Sequence, residues 1–187
     1  MWLDMVKEEL GDKLQINWRS FALEQVNSEH GRDWKAWEQG TDYQSRGLWP
    51  LRGGIAARQQ GSAEHNEYMA KILHAKHVER EDVRTRESIL EIAVSASLDI
   101  DNFTEALDDP KSLKTIGNDH EHARALGIFG TPTFVFGNGL STFVKMFTPP
   151  KHEAMDAFKH FMGIASERTY FGEIKRPQPP WPRGAED

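Results

Sequence analysis

The stretch of the chain with the clearest potential for chemistry is residues 127–136, which read Gly-Ile-Phe-Gly-Thr-Pro-Thr-Phe-Val-Phe. It leads from a turn into an apolar run that predicts a buried strand, and Pro132 stands where that strand should begin. Proline has no N–H, so a sheet tolerates it at the first residue of a strand. X-Pro bonds also adopt the cis form at small cost. Two interpretations follow: an ordinary strand start with a trans proline, or a backbone edge at Thr131 and Pro132 that is open to an extended ligand.

The eight histidines do not form a recognised metal-binding pattern. His74 and His77 are three residues apart and share a helix face, whereas His120 and His122 are two apart and diverge on a helix. The chain has no His-Glu-x-x-His motif. We therefore predict no metal site and interpret these histidines as part of polar, solvent-facing helix surfaces.

Nucleophiles and phosphate-binding loops are equally poorly supported. The chain has no cysteine, which excludes disulfides and thiol catalysis by these 187 residues. It has no Gly-x-Ser-x-Gly elbow. Arg52-Gly53-Gly54 could open a helix, but it does not match the Gly-x-Gly-x-x-Gly pattern of a dinucleotide site. We assign no catalytic residue.

Composition narrows the class of protein. The net charge of −6 argues against nucleic acid as the main partner, because a nucleic-acid-binding face is usually basic. No run approaches the roughly 18 apolar residues of a membrane span, and no secretory signal is recognisable. The sequence therefore predicts no membrane partner and a cytoplasmic location. A length of 187 residues favours one domain.

We call residues 127–132, which lead up to the predicted strand, the Thr-Pro run. The elements that must position it are predicted from apolar periodicity and turn residues. A long segment, residues 24–62, is predicted to be irregular, with short helices and a mobile loop, and contains Trp34 and Trp37. These tryptophans either wall a ligand-binding loop or fill space against the core, as tryptophan often does. The other predicted elements are a helix over 2–10, a strand over 14–21, helices over 63–80, 85–97, Asp101 or Asn102 to 107 and 111–126 (ended by Gly127), a hairpin of strands 133–136 and 142–147 turning through Gly137-Asn138-Gly139, a helix over 151–168 and a Pro-rich tail over 171–187.

The Gly-Thr-Pro-Thr-Phe element resembles the cis-proline loop of DsbA-like thioredoxin-fold proteins, which include glutathione-dependent 2-hydroxychromene-2-carboxylate isomerases. Supporting similarity extends over residues 2–170. Trp2-Leu3-Asp4-Met5-Val6 resembles the helix after the family's active-site motif, and Ile16-Asn17-Trp18-Arg19-Ser20-Phe21 resembles its second strand. His74-Ala75-Lys76-His77 and Leu98-Asp99 resemble the inserted helices.

The chain departs from that family at its beginning. In the family, a first strand and a Cys-x-x-Cys or related motif precede the helix that corresponds to the one starting near Trp2. The resemblance therefore implies an α/β, thioredoxin-like fold with a helical insert over about residues 43–126 and with its first strand missing from this chain. The predicted organisation is a single domain over residues 1–170, followed by the tail.

Three functions fit this resemblance. The first is a thiol–disulfide oxidoreductase whose motif lies outside these residues. The second is a redox-inert binding module, expected to be a homodimer, in which Thr131, Pro132, Trp34 and Trp37 hold a small thiol or an extended peptide. The third is a glutathione-dependent isomerase relative with a non-cysteine nucleophile. The resemblance implies no cofactor beyond a glutathione-like thiol.

Overall fold

A computed structural model describes residues 2–31, 33–40 and 43–175 of the chain. These residues form eight α-helices and one two-stranded antiparallel sheet. Short 3-10 turns stand at Gly11–Lys13, Ala36–Glu38 and Lys151–Glu153, and a π-helical turn at Ala75–Glu79. The elements are α1 Trp2–Leu10, α2 Leu23–Val26, α3 Leu48–Gln60, α4 Ser62–His74, α5 Arg86–Ser95, α6 Ile100–Asp108, α7 Lys111–Ala125, β1 Thr133–Val135, β2 Ser141–Phe143 and α8 Ala154–Ala165.

The described residues form two compact units. The first combines those within Met1–Trp18 and Gly130–Asp187, and the second those within Arg19–Phe129. The first unit therefore holds α1, α8 and the hairpin, while the secondary structure described in the second consists of helices. The predicted single domain over 1–170 with an insert near 43–126 stays a prediction.

An aromatic core joins α1, α8 and the hairpin in the first unit. The Trp2 indole N–H donates to the carbonyl of Ala154 over 3.0 Å, and its ring meets Phe158 and Phe161 edge-on. Phe161 also packs on Phe134 of β1, with ring centroids 4.8 Å apart. These contacts hold the strand that follows the Thr-Pro run against both helices.

The predicted hairpin is confirmed, with shorter strands than expected. Thr133 lies opposite Phe143 in the register of β1 and β2. Two main-chain hydrogen bonds close the connection: the Phe136 N–H donates to the Leu140 carbonyl, and the Gly139 N–H donates to the Phe136 carbonyl. Gly139 has φ +84°, a conformation that glycine adopts without steric penalty, which explains the turn signal in the sequence.

The predicted strand over residues 14–21 is wrong. Side-chain exposure does alternate from Leu14 to Arg19, but no residue of this segment belongs to a ladder with another described strand. The N–H of Ser20, and that of Ala22 just beyond the segment, donate instead to side chains of α7. Period-2 patterning reports an extended, half-buried chain, and only a neighbouring strand turns such a chain into a sheet.

The prediction of an irregular segment with short helices over residues 24–62 did not include a helix as long as α3, the central helix of the second unit. Pro50 lies in its first turn, where the missing N–H has no intrahelical role. Gly53 is required because a Cβ there would overlap the Tyr68 hydroxyl. The helix buries its middle on all sides, from Gly53 to Ala57, so the amphipathic periodicity used to recognise helices is absent.

Helices α4 to α7 of the second unit agree with the predictions in position, with one change of cap, whereas the short α2 was not predicted as a separate helix. Tyr68, Ile89 and Phe103 of α4, α5 and α6 lie fully buried in one core cluster. The cap of α6 is Asp99, whose carboxylate accepts the Asn102 N–H, so the assignment of the cap to Asp101 or Asn102 was wrong.

Two further predictions concern the end of the chain and membranes. The predicted helix over 151–168 is α8 preceded by a 3-10 turn. Most of the predicted Pro-rich tail, residues 176–187, lies outside the described residues. Among the helices that the structure describes, none is long and apolar enough to cross a membrane.

Candidate functional site

The Thr-Pro run follows directly on the end of α7, which is closed by a Schellman motif. Gly127 has φ +79°, its N–H donates to Arg124, and the Ile128 N–H donates to Ala123. This double closure satisfies two carbonyls that a helix end leaves unpaired. It confirms Gly127 as the helix stop.

The hydrogen bonds around Pro132 determine which backbone groups are still available. The Thr131–Pro132 peptide bond is cis. The Pro132 carbonyl accepts the Val144 N–H over 3.2 Å, and the Thr133 hydroxyl donates to the Gly130 carbonyl over 2.7 Å. Proline has no N–H to offer. The backbone polar groups of Pro132 are therefore already committed to the hairpin.

Thr131 is exposed, as Pro132 is, but its main chain makes no hydrogen bond to any other described residue. It presents one N–H donor and one C=O acceptor, the pair that an extended peptide backbone uses when it adds to a sheet edge. Recognition of this kind needs no charged group and no nucleophile. Thr131 is thus the group in this loop that is suited to bind an extended ligand.

Trp34 is held in place by a glutamine that sequence reasoning overlooked. The Gln25 side-chain amide donates to the Trp34 carbonyl and accepts the Ala36 N–H, both over 2.9 Å. The half-buried Trp34 ring lies edge-on to Tyr43 and 4.7 Å from the ring centroid of His30. One part of the indole therefore stays accessible while its backbone is anchored.

Trp37 is 9% exposed and fills the space against α7. Its ring centroid lies 5.1 Å from that of His120, and a Cβ at Gly117 would come within 2.5 Å of its indole nitrogen. Lys35 also lies over the ring. These contacts favour the space-filling interpretation of Trp37, and a direct ligand contact stays a prediction.

His120 organises this region, although its sequence context was interpreted as a solvent-facing helix surface. That interpretation is wrong, because His120 is fully buried and stacks on Phe21. Burial is the main reason why its pKa lies below the usual value. The available signal was helical spacing: His120 lies four residues after Ile116 and three before Ala123, both of which are buried.

The predicted binding residues fall into different units. Thr131 and Pro132 belong to the first unit, and Trp34 and Trp37 to the second. A common site formed by all four stays a prediction. Among the described residues, no group of three or more histidine, aspartate or glutamate side chains is arranged to hold a metal ion.

Comparison with known proteins identifies the class. The family model of the DSBA-like thioredoxin domain matches residues 4–160. The chain therefore belongs to the DSBA-like thioredoxin domain family, which confirms the resemblance and the fold class inferred from the Gly-Thr-Pro-Thr-Phe element. The mostly helical architecture with a small sheet agrees with a thioredoxin-like fold that carries a helical insertion.

One curated relative extends over almost the whole chain. It is described as "Uncharacterized protein Rv2286c" of Mycobacterium tuberculosis (strain ATCC 25618 / H37Rv). The two chains are 28% identical over 185 residues, which cover 96% of this chain and 76% of the relative. The description of this relative names no family, activity or substrate, so the family rests on the match over residues 4–160.

Proposed function

We propose that this chain binds a low-molecular-weight thiol or an extended peptide through the main chain of Thr131 and performs no thiol–disulfide exchange by itself. The observation that supports this is the exposed Thr131 backbone pair beside a proline whose carbonyl is already bonded to the hairpin. The absence of cysteine from all 187 residues removes the exchange reaction while leaving the binding surface.

The test uses reduced glutathione and its analogue in which 2-aminobutyrate replaces cysteine. Both should shift the Thr131 amide signal in NMR spectra in a saturable way and with similar affinity, because the backbone pair does not require the thiol. Absence of any saturable shift at Thr131 up to about 10 mM ligand, which would detect dissociation constants in the millimolar range, would contradict the proposal.

Two substitutions separate backbone recognition from side-chain recognition. Thr131→Ala keeps the N–H and C=O, so we expect binding close to wild type. Thr131→Pro removes the donor and also its NMR signal, so its binding is followed through the amide signal of the neighbouring Gly130. Binding should weaken by roughly tenfold, the effect of one lost hydrogen bond of about 1.5 kcal/mol. Circular dichroism checks that the variant is folded. If Thr131→Pro does not fold, the wild-type amide shift and Thr131→Ala still decide.

Thiol–disulfide exchange is a second candidate, since it is the activity that the family resemblance implies. It requires a cysteine from outside these residues. The observation that favours it is the position of α1, whose N-terminus at Trp2 is where the resemblance places the family's motif. A thiolate at a helix N-terminus is stabilised and reactive.

Intact mass of the protein purified from its source tests this second candidate. A mass near 21.4 kDa excludes exchange by the chain alone. A larger mass that includes an N-terminal cysteine supports it, and a disulfide-reduction assay on that protein then measures the activity. A cytoplasmic location and a homodimer stay predictions.

A further inference from the structure

Two consecutive residues of α7 clamp the segment that precedes α2. The Ser20 N–H donates to the Asp119 carboxylate over 3.0 Å, and the Ala22 N–H donates to Nδ1 of His120 over 3.2 Å. N–H groups two residues apart point to the same edge of an extended chain. The side chains of α7 therefore take the place of a neighbouring strand along this edge.

The clamp requires His120 to be in one protonation state. Nδ1 accepts a hydrogen bond, so it carries no proton, and the neutral ring must carry its proton on Nε2. Nε2 is buried and has no hydrogen-bond partner among the described residues. Protonation of the ring would place a hydrogen on Nδ1 facing the Ala22 N–H, and two donors cannot bond to each other.

The clamped segment also anchors the tryptophan segment, which we define as residues 33–40. Gln25, three residues after Ala22, bonds to the backbone on both sides of Lys35, at Trp34 and Ala36. Trp37 packs directly on the ring of His120. A change in the charge of His120 therefore acts on the tryptophan segment from two sides.

The charged groups around His120 do not cancel this sensitivity. On α7, Glu121 favours the protonated form while Arg124 opposes it, and Lys35 from the tryptophan segment also opposes it. Glu121 is itself held by Lys35 over 2.7 Å. The clamped segment contributes the cation Arg19, which pairs with Asp119. Helix α3 contributes Arg58, which interacts electrostatically with Arg19 and with Asp119.

We propose that His120 is a pH-sensitive latch: protonation at Nδ1 breaks its bond to Ala22, releases residues 21–26 from α7 while Asp119 still holds Ser20, and loosens the tryptophan segment. Opening exposes the ring to water, where an ordinary histidine titrates near pH 6.5. The open fraction should therefore rise by about tenfold for each pH unit below that value until the closed form also binds a proton. Neutral conditions keep the latch closed.

Amide hydrogen exchange of the whole chain between pH 5 and 8, corrected for intrinsic rates, tests the latch. The protection of Ala22 should fall by about tenfold per pH unit below about 6.5, while the Ile116 amide inside α7 keeps its protection. The proposal is overturned if Ala22 protection does not change with pH, or if it is lost only together with that of Ile116.

Variants separate His120 from other titrating groups. His120→Asn places an oxygen near the position of Nδ1 and does not titrate, so the Ala22 profile should become flat. His65→Asn changes the other buried histidine with a lowered pKa, and the profile should stay as in wild type.

If His120→Asn does not fold, the wild-type tautomer is decisive. Long-range nitrogen–proton correlation spectra at pH 7.5 should show the proton of His120 on Nε2. A proton on Nδ1 would overturn the proposal.

Discussion

The contact between Gly117 and Trp37 allows a sharp test of how α7 positions the tryptophan segment. Replacing Gly117 by alanine would place a Cβ 2.5 Å from the Trp37 indole nitrogen and 2.8 Å from two further ring atoms. Distances under 3.0 Å force a displacement. Trp37 is buried between His120 and Gly117, so its ring cannot swing away without leaving its packing.

The expected magnitude is a balance of two effects. Alanine is favoured over glycine in a helix interior by about 1 kcal/mol. Overpacking a closed site costs typically about 1–3 kcal/mol, and three ring atoms in contact indicate the upper end. We therefore expect Gly117→Ala to lower the free energy of unfolding by about 2 kcal/mol, which in a chain of this length lowers Tm by about 4–8 °C.

Gly54→Ala in α3 is the matched control. Its new Cβ would meet only the Met69 sulfur at 3.6 Å, an ordinary van der Waals distance. The helix propensity then acts alone, and the variant should be more stable by about 1 kcal/mol, or about 2–4 °C in Tm. Thermal unfolding followed by circular dichroism at 222 nm measures both variants under the same conditions.

A double-mutant cycle isolates the steric contact. In a Trp37→Ala background the obstacle is absent, so Gly117→Ala should change sign and stabilise by about 1 kcal/mol. The reasoning is refuted if Gly117→Ala raises Tm as Gly54→Ala does, or if it destabilises equally with and without the Trp37 ring.

Two further predictions concern carboxylates. Burial raises the pKa of Tyr43, and the charge and hydrogen bond of Glu24 raise it further. Glu24→Gln should therefore move that pKa part of the way back towards 10 in a tyrosinate absorbance titration, in which Tyr43→Phe identifies the signal. An unchanged pKa would exclude this interaction. The Arg86 guanidinium bonds bidentately to Asp108 and lowers the pKa of that carboxyl, so the pair stabilises the fold above pH about 4, and this contribution is lost as the pH falls through the lowered value. Because both side chains are partly exposed, Arg86→Gln should cost about 1 kcal/mol or less at pH 7 in urea unfolding, and wild type and variant should converge in acid; a constant difference at all pH values would contradict this.

Local signals predicted the elements whose shape depends on their own residues. The hairpin follows from the glycines around Asn138, and the end of α7 follows from Gly127, because each position needs a positive φ or a tight turn that the residue itself supplies. The family resemblance likewise rested on contiguous residues around Pro132. Such features can be recognised without knowing what else packs nearby.

Long-range packing decided the elements that were predicted wrongly. Helix α3 contains Pro50 and two adjacent glycines and shows no amphipathic stripe, since helices on several sides bury its middle. The alternating segment near Trp18 met no strand among the described residues. The N–H groups of Ser20 and Ala22 donate instead to side chains of α7, and no property of the segment itself indicates that partner.

The sequence by itself determined that these 187 residues contain no cysteine, and the residues around Thr131 and Pro132 indicated the family that the match over residues 4–160 shows. Only the tertiary structure decided that Thr131 presents its main chain while the Pro132 carbonyl is already bonded, and that His120 is buried. The physical reason is separation along the chain: Ala22 and His120 are 98 residues apart. A hydrogen bond between residues so far apart in the sequence forms only after the helices between them have packed.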